Sequence, residues 1–79
     1  MLRPRHRCGV HGEHFGSGYG GQFKGGRAQL RLVPSSSTGR PRGGTHSKGE
    51  FFMDSNAALF VCVMGGTPGR WRKISTTAV

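Results

Sequence analysis

The hydrophobic positions of this 79-residue chain are concentrated in one stretch, from Gly49 to Ile74. Two apolar runs, 50–53 and 58–64, are separated by the polar segment 54–57, which reads DSNA. Asp and Asn favour tight turns because their side chains bond to nearby backbone groups and Asn tolerates left-handed conformations. The second run is short for a helix and contains two β-branched valines. The pattern therefore predicts a β-hairpin.

A third strand is predicted after a break in the pattern. Residues 65–69, GGTPG, contain glycines and a proline, which interrupt regular structure. Residues 70–74 then read as a short strand. The stretch 49–74 therefore predicts an all-β fold centred on a three-stranded meander.

Both faces of the central predicted strand are apolar. Leu59, Val61 and Val63 would face one side, whereas Phe60, Cys62 and Met64 would face the other. A chain this short buries only a modest fraction of its surface by itself, so we expect a homo-oligomer. The residues expected in the shared core or oligomer interface are Leu30, Leu32, Phe52, Leu59, Val61 and Trp71.

The rest of the chain divides by composition. Residues 1–7 read as a flexible basic arm, and 8–26 as a glycine-rich, repeat-like segment of short extended pieces, each presenting one apolar side chain inward. A disordered linker is the alternative for that segment. Residues 27–34 alternate like a strand, 35–48 read as an exposed, mobile polar loop within the β module 27–74, and 75–79 form a tail.

The charge balance is strongly basic, with 12 Lys and Arg against 3 Asp and Glu and a formal net charge of +9. Such a surface attracts nucleic acids and other polyanions, although it also keeps a β-rich protein soluble. The sequence GRPRGG at 39–44 partly resembles the core of minor-groove DNA-binding peptides. Trp71 either stacks on a base or completes the core. The candidate polyanion-binding residues are Arg3, Arg5, Arg7, Arg40 and Arg42.

Catalytic and metal-binding chemistry find little support in the sequence. His6, Cys8, His11 and His14 lie close together, but their spacing matches no established zinc module, so we expect no metal or other cofactor. With only three carboxylates in the chain, we also expect no enzyme activity. Neither a secretory signal nor a membrane span is visible, which predicts a cytoplasmic protein or a component of an assembled particle.

Two strings carry a resemblance to a known group of proteins. They are YGGQFKGGRAQLRLVP at 19–34 and GEFFMDSNAALFVCVMGGTPGRWRKI at 49–74. Together they resemble the C-terminal module of bacterial glycine-rich repeat proteins, which are sometimes compared with phage tail-fibre ends. The resemblance implies a β-rich fibre or surface-assembly module that is intertwined or packed as a homotrimer. Asn56, Ala57 and Arg70 depart from its usual glycine and threonine.

These observations favour a structural or interaction module of a fibre-like or surface assembly without catalytic activity. The alternative is a small basic protein that binds nucleic acid or another polyanion. Oligomerisation and salt-dependent binding to nucleic acid distinguish the two hypotheses.

Overall fold

The computed structural model describes residues 8–79, which divide into two compact units with the boundary between Arg31 and Leu32. The described residues contain no helix, and their three strands form one antiparallel sheet, which confirms the all-β prediction. No helix capable of crossing a bilayer is found among them. The predicted basic arm, with Arg3, Arg5 and Arg7, lies outside the described residues.

The sheet is the predicted meander. Its strands are β1 (Phe51–Met53), β2 (Leu59–Met64) and β3 (Arg70–Lys73), in the order β1-β2-β3. Phe52 pairs with Phe60 across the first hairpin, and Cys62 pairs with Trp71 across the second. The alternation of apolar residues thus located each strand to within about one residue at either end.

The β1–β2 turn is held by the side chain of Asp54. Its Oδ1 accepts hydrogen bonds from the backbone N–H groups of Asn56 and Ala58, both at 2.9 Å. The backbone N–H of Ala57 donates to the carbonyl of Asp54 at 3.0 Å, and Ala57 adopts a left-handed φ of 63°. The polar segment therefore forms a hairpin turn, as its composition predicts.

The β2–β3 connection brings two backbone segments into close approach. The register shifts between Cys62 and Met64, where β2 bulges. Gly69 has a φ of +83°, and a Cβ at this position would stand 2.7 Å from the carbonyl oxygen of Met64. Glycine is therefore required at Gly69 for both conformation and space.

The two faces of the sheet differ in their surroundings. On the inner face, defined here by Phe52, Phe60, Cys62 and Trp71, Cys62 is only 1% exposed and its thiol donates to the carbonyl of Met64 at 3.3 Å. The outer face, defined by Phe51, Met53, Leu59 and Val61, has no buried residue.

The loop 35–48 is anchored to the sheet, although most of its residues are exposed as predicted. The N–H of Ser35 donates to the carbonyl of Met53 at 2.9 Å, and the N–H of Ser55 donates to the carbonyl of Ser37 at 2.8 Å. His46 forms an isolated antiparallel bridge with Gly66. Backbone groups therefore supply anchors for the exposed loop that its polar side chains did not indicate.

The predicted strand at 27–34 is not formed. Its apolar and polar residues do alternate, but a strand also needs a neighbouring strand edge, and these residues belong to no sheet. Leu30 is 65% exposed and Leu32 is 38% exposed, so neither belongs to a core within the single chain.

The glycine-rich segment also differs from expectation. Its large apolar side chains are exposed rather than turned inward, and they are Val10, Phe15, Tyr19 and Phe23. The described part of this segment has no strand or helix against which such side chains could pack.

Candidate anion-binding cleft and its surroundings

Three arginines meet around a cleft on the sheet. Arg40 comes from the loop, whereas Arg70 and Arg72 come from β3. The cleft has a volume of about 590 Å³, and its remaining lining residues are Val63, Met64, Gly69 and Trp71. Guanidinium groups beside an apolar wall can bind an anion that also carries an apolar or aromatic part.

Arg40 reaches the cleft because the loop is fixed to the β1–β2 turn. The N–H of Gly39 donates to Oδ2 of Asp54 at 2.8 Å, and the hydroxyls of Thr38 and Ser55 lie 3.1 Å apart. Asp54 is 3% exposed, and the hydrogen bond from Gly39, followed by those from Ala58 and Asn56, holds its pKa below the ordinary value. One buried carboxylate thus orders both the turn and the base of the arginine-bearing loop.

Trp71 is fixed between the cleft and the loop. Its Nε1 donates to the carbonyl of Pro68 at 2.8 Å. The peptide bond between Thr67 and Pro68 is cis. Its ring makes edge contacts with His46, at 5.1 Å between centroids, and with Phe52, at 6.4 Å. Trp71 is half-buried, so it packs in the sheet unit while still lining the cleft.

His46 and Glu50 form the ion pair beside Trp71. Nδ1 of His46 lies 2.7 Å from Oε1 of Glu50, and Nε2 lies 2.9 Å from the carbonyl oxygen of Gly43. Both partners are acceptors, so only the doubly protonated imidazolium satisfies them. The hydrogen bond to Glu50 and then that to Gly43 raise the pKa of His46. The bond from His46, followed by that from Ser47 N–H, lowers the pKa of Glu50.

The carboxylates of the chain are engaged away from the arginines. Glu13 pairs with His11 at 3.2 Å, Glu50 pairs with His46, and Asp54 accepts backbone hydrogen bonds in the turn. Within residues 8–79, no aspartate or glutamate lines the cleft or pairs with Arg40, Arg70 or Arg72. The cleft is therefore electropositive without internal neutralisation.

The two predicted loop arginines meet in a second cleft, and only Arg40 also lines the first one. Arg42 lines a neighbouring cleft of about 450 Å³ with Phe52 and polar loop residues, and Arg40 lines both clefts. Sequence reasoning missed Arg70 and Arg72 as partners of Arg40. Both arginines flank Trp71 in a predicted strand, and this was the only sign in the sequence that they belong to a binding site. The sequence does not show that the anchored loop brings Arg40 beside them.

The remaining predicted site residues have varied surroundings. Phe52, Leu59, Val61 and Trp71 are half-buried in the sheet. Among the described residues, no three His, Cys, Asp or Glu side chains are grouped as metal ligands. Cys8, His11 and His14 are therefore not part of such a group there. His6 lies outside the described residues.

Comparisons with protein-family profiles, with curated proteins and with solved structures found no match to this chain. The likeness to glycine-rich repeat proteins rests on the two quoted strings alone.

Proposed function

We propose that this protein is a non-catalytic structural or interaction module that associates with further copies of itself, with a homotrimer as the favoured assembly. The observation that carries the proposal is the small core of the single chain. Within residues 8–79, Cys62 is the only hydrophobic residue that is buried, and Asp54 is the only buried polar one.

The outer face of the sheet is the proposed contact surface. Phe51 is 63% exposed there, and Met53, Leu59 and Val61 are only half-buried. Burying apolar surface contributes about 25 cal/mol per Å², so association adds the stabilisation that the single chain lacks. Leu30 and Leu32 are exposed and available to the same shared core.

The resemblance to glycine-rich repeat and tail-fibre-like proteins supports this proposal. The hairpin, the closing GGTPG segment and the aromatic strand that follows correspond to the string that carries it. A fibre or surface assembly is therefore the proposed setting.

A matched pair of substitutions tests the contact surface. Phe51→Thr removes an exposed aromatic ring from the outer face and introduces a β-branched residue, which suits a strand. We expect it to weaken self-association about tenfold in sedimentation velocity, since a buried Phe contributes roughly 1.5–3 kcal/mol.

The control is Val33→Thr, which changes another exposed apolar residue outside the sheet. It should leave the association unchanged. If the wild-type protein and Phe51→Thr both sediment as monomers, the proposal is refuted.

A second candidate function is favoured by the arginine cleft, namely binding of nucleic acid or another polyanion. It requires no fixed oligomeric state and would also use the basic arm with Arg3, Arg5 and Arg7, together with Arg40 and Arg42. An electrophoretic shift that weakens with added salt supports this function, and a protein that shifts no nucleic acid at low salt excludes it.

A further inference from the structure

We infer that the cleft formed by Arg40, Arg70, Arg72 and Trp71 is a binding site for single-stranded nucleic acid. The inference rests on the second candidate function, binding of nucleic acid or another polyanion, and specifies its ligand; it does not require self-association. The inference rests on the cleft's charge, its apolar wall and its fixed geometry.

The charge selects an anionic ligand. The three guanidiniums come from two separate parts of the chain, and among the described residues no carboxylate side chain lines the cleft. Arg40 donates to the neighbouring Pro41 carbonyl at 3.2 Å, an exposed contact that leaves other guanidinium N–H groups for a ligand. Phosphate, like carboxylate, is an anion that such planar, multiply donating groups bind in fork geometry.

The apolar wall selects a ligand with flat bases beside its phosphates. Val63, Met64 and Trp71 line the cleft, and its volume falls within the roughly 300–1,000 Å³ typical of small-ligand pockets. Single strands expose their bases, which pack on aromatic side chains while the backbone follows a basic groove. A duplex keeps its bases stacked and paired, so it offers the cleft phosphates alone.

The geometry is held before any ligand binds. Asp54 fixes the loop through Gly39, and the Pro68 carbonyl fixes the indole of Trp71. A site whose side chains are already positioned loses less conformational entropy on binding.

The test uses the full chain and the fluorescence of Trp71, which is the single tryptophan in the sequence. An octathymidylate is titrated over a series of salt concentrations. We expect quenching of the Trp71 emission and an affinity that falls with salt. Binding without any change in Trp71 emission would place the ligand elsewhere and overturn the inference.

Three variants and a control assign the site. Arg40→Gln, Arg70→Gln and Arg72→Gln should each weaken binding about tenfold, as expected for a lost charge-assisted hydrogen bond. Each should also reduce the slope of log affinity against log salt by about 0.7. Lys48→Gln removes the same charge from an exposed residue outside the cleft and should have a much smaller effect. Equal losses in all four variants would overturn the inference, and circular dichroism confirms that each variant is folded.

Two further ligands test the chemistry. An abasic octamer of equal charge should bind at least several-fold more weakly than octathymidylate, because it lacks the bases that contact Trp71. An A·T duplex should also bind more weakly. Equal or tighter binding of the abasic octamer, of heparin or of the duplex would show a general anion site or a duplex site and would contradict the proposal.

Discussion

Ala57 has a left-handed φ of 63° at the end of the β1–β2 turn, a conformation that is unfavourable for residues with a Cβ. Its neighbour Asp54 supplies the hydrogen bonds that keep the turn in place. The turn therefore combines a strained residue with a side chain that stabilises it.

We predict that Ala57→Gly raises the free energy of unfolding by about 1 kcal/mol, because glycine adopts this φ without steric cost. Urea denaturation measures the change. Ala58→Gly is the matched control, since Ala58 has no positive φ and should lose about 0.5–1 kcal/mol. Destabilisation of similar size in both variants would contradict this account of the turn.

At the scale of elements, the sequence located the strands well and the loop poorly. Alternation and turn chemistry define β1, β2 and β3 because these signals are local. The region 27–34 alternates equally clearly but has no partner edge, so alternation alone predicted a strand there that does not form. The loop is held by backbone hydrogen bonds and by Asp54, and neither is visible as an apolar pattern. The arginine cleft depends on that loop and was therefore only partly predictable.

The ion pair of His46 and Glu50 makes the loop's attachment dependent on pH. Because the pKa of His46 is raised on folding, its contribution is fully present below its ordinary pKa of 6.5 and is lost as pH rises through the folded value. Because the pKa of Glu50 is lowered, its contribution is present above 4.5 and is lost as pH falls through the folded value. We therefore predict that this pair contributes most to stability between pH 4.5 and pH 6.5.

The test is the urea midpoint followed across pH by Trp71 fluorescence. The wild-type midpoint should fall as pH rises above 6.5, and His46→Gln should remove that fall. His14→Gln changes an exposed histidine in the other unit and should preserve it. An unchanged pH profile in His46→Gln would show that the pair does not stabilise the loop.

At the scale of the whole molecule, the described residues combine a small core with many exposed apolar side chains. Large hydrophobic side chains are exposed in both units, including Phe15 in the first and Phe51 in the second. Only a few residues in the sheet unit pack closely, and Cys62 alone among the hydrophobic residues described is buried. The sequence shows how many apolar residues the chain has. Only the structure shows which of them are exposed.

The most direct test of the proposed assembly is the dependence of thermal unfolding on protein concentration. If folding is coupled to association, mass action raises the unfolding midpoint as the concentration increases, and native mass spectrometry should then detect trimers. We predict this rise for the wild-type protein and a smaller one for Phe51→Thr. A midpoint that is independent of concentration, together with a folded single chain in native mass spectrometry, would contradict self-association.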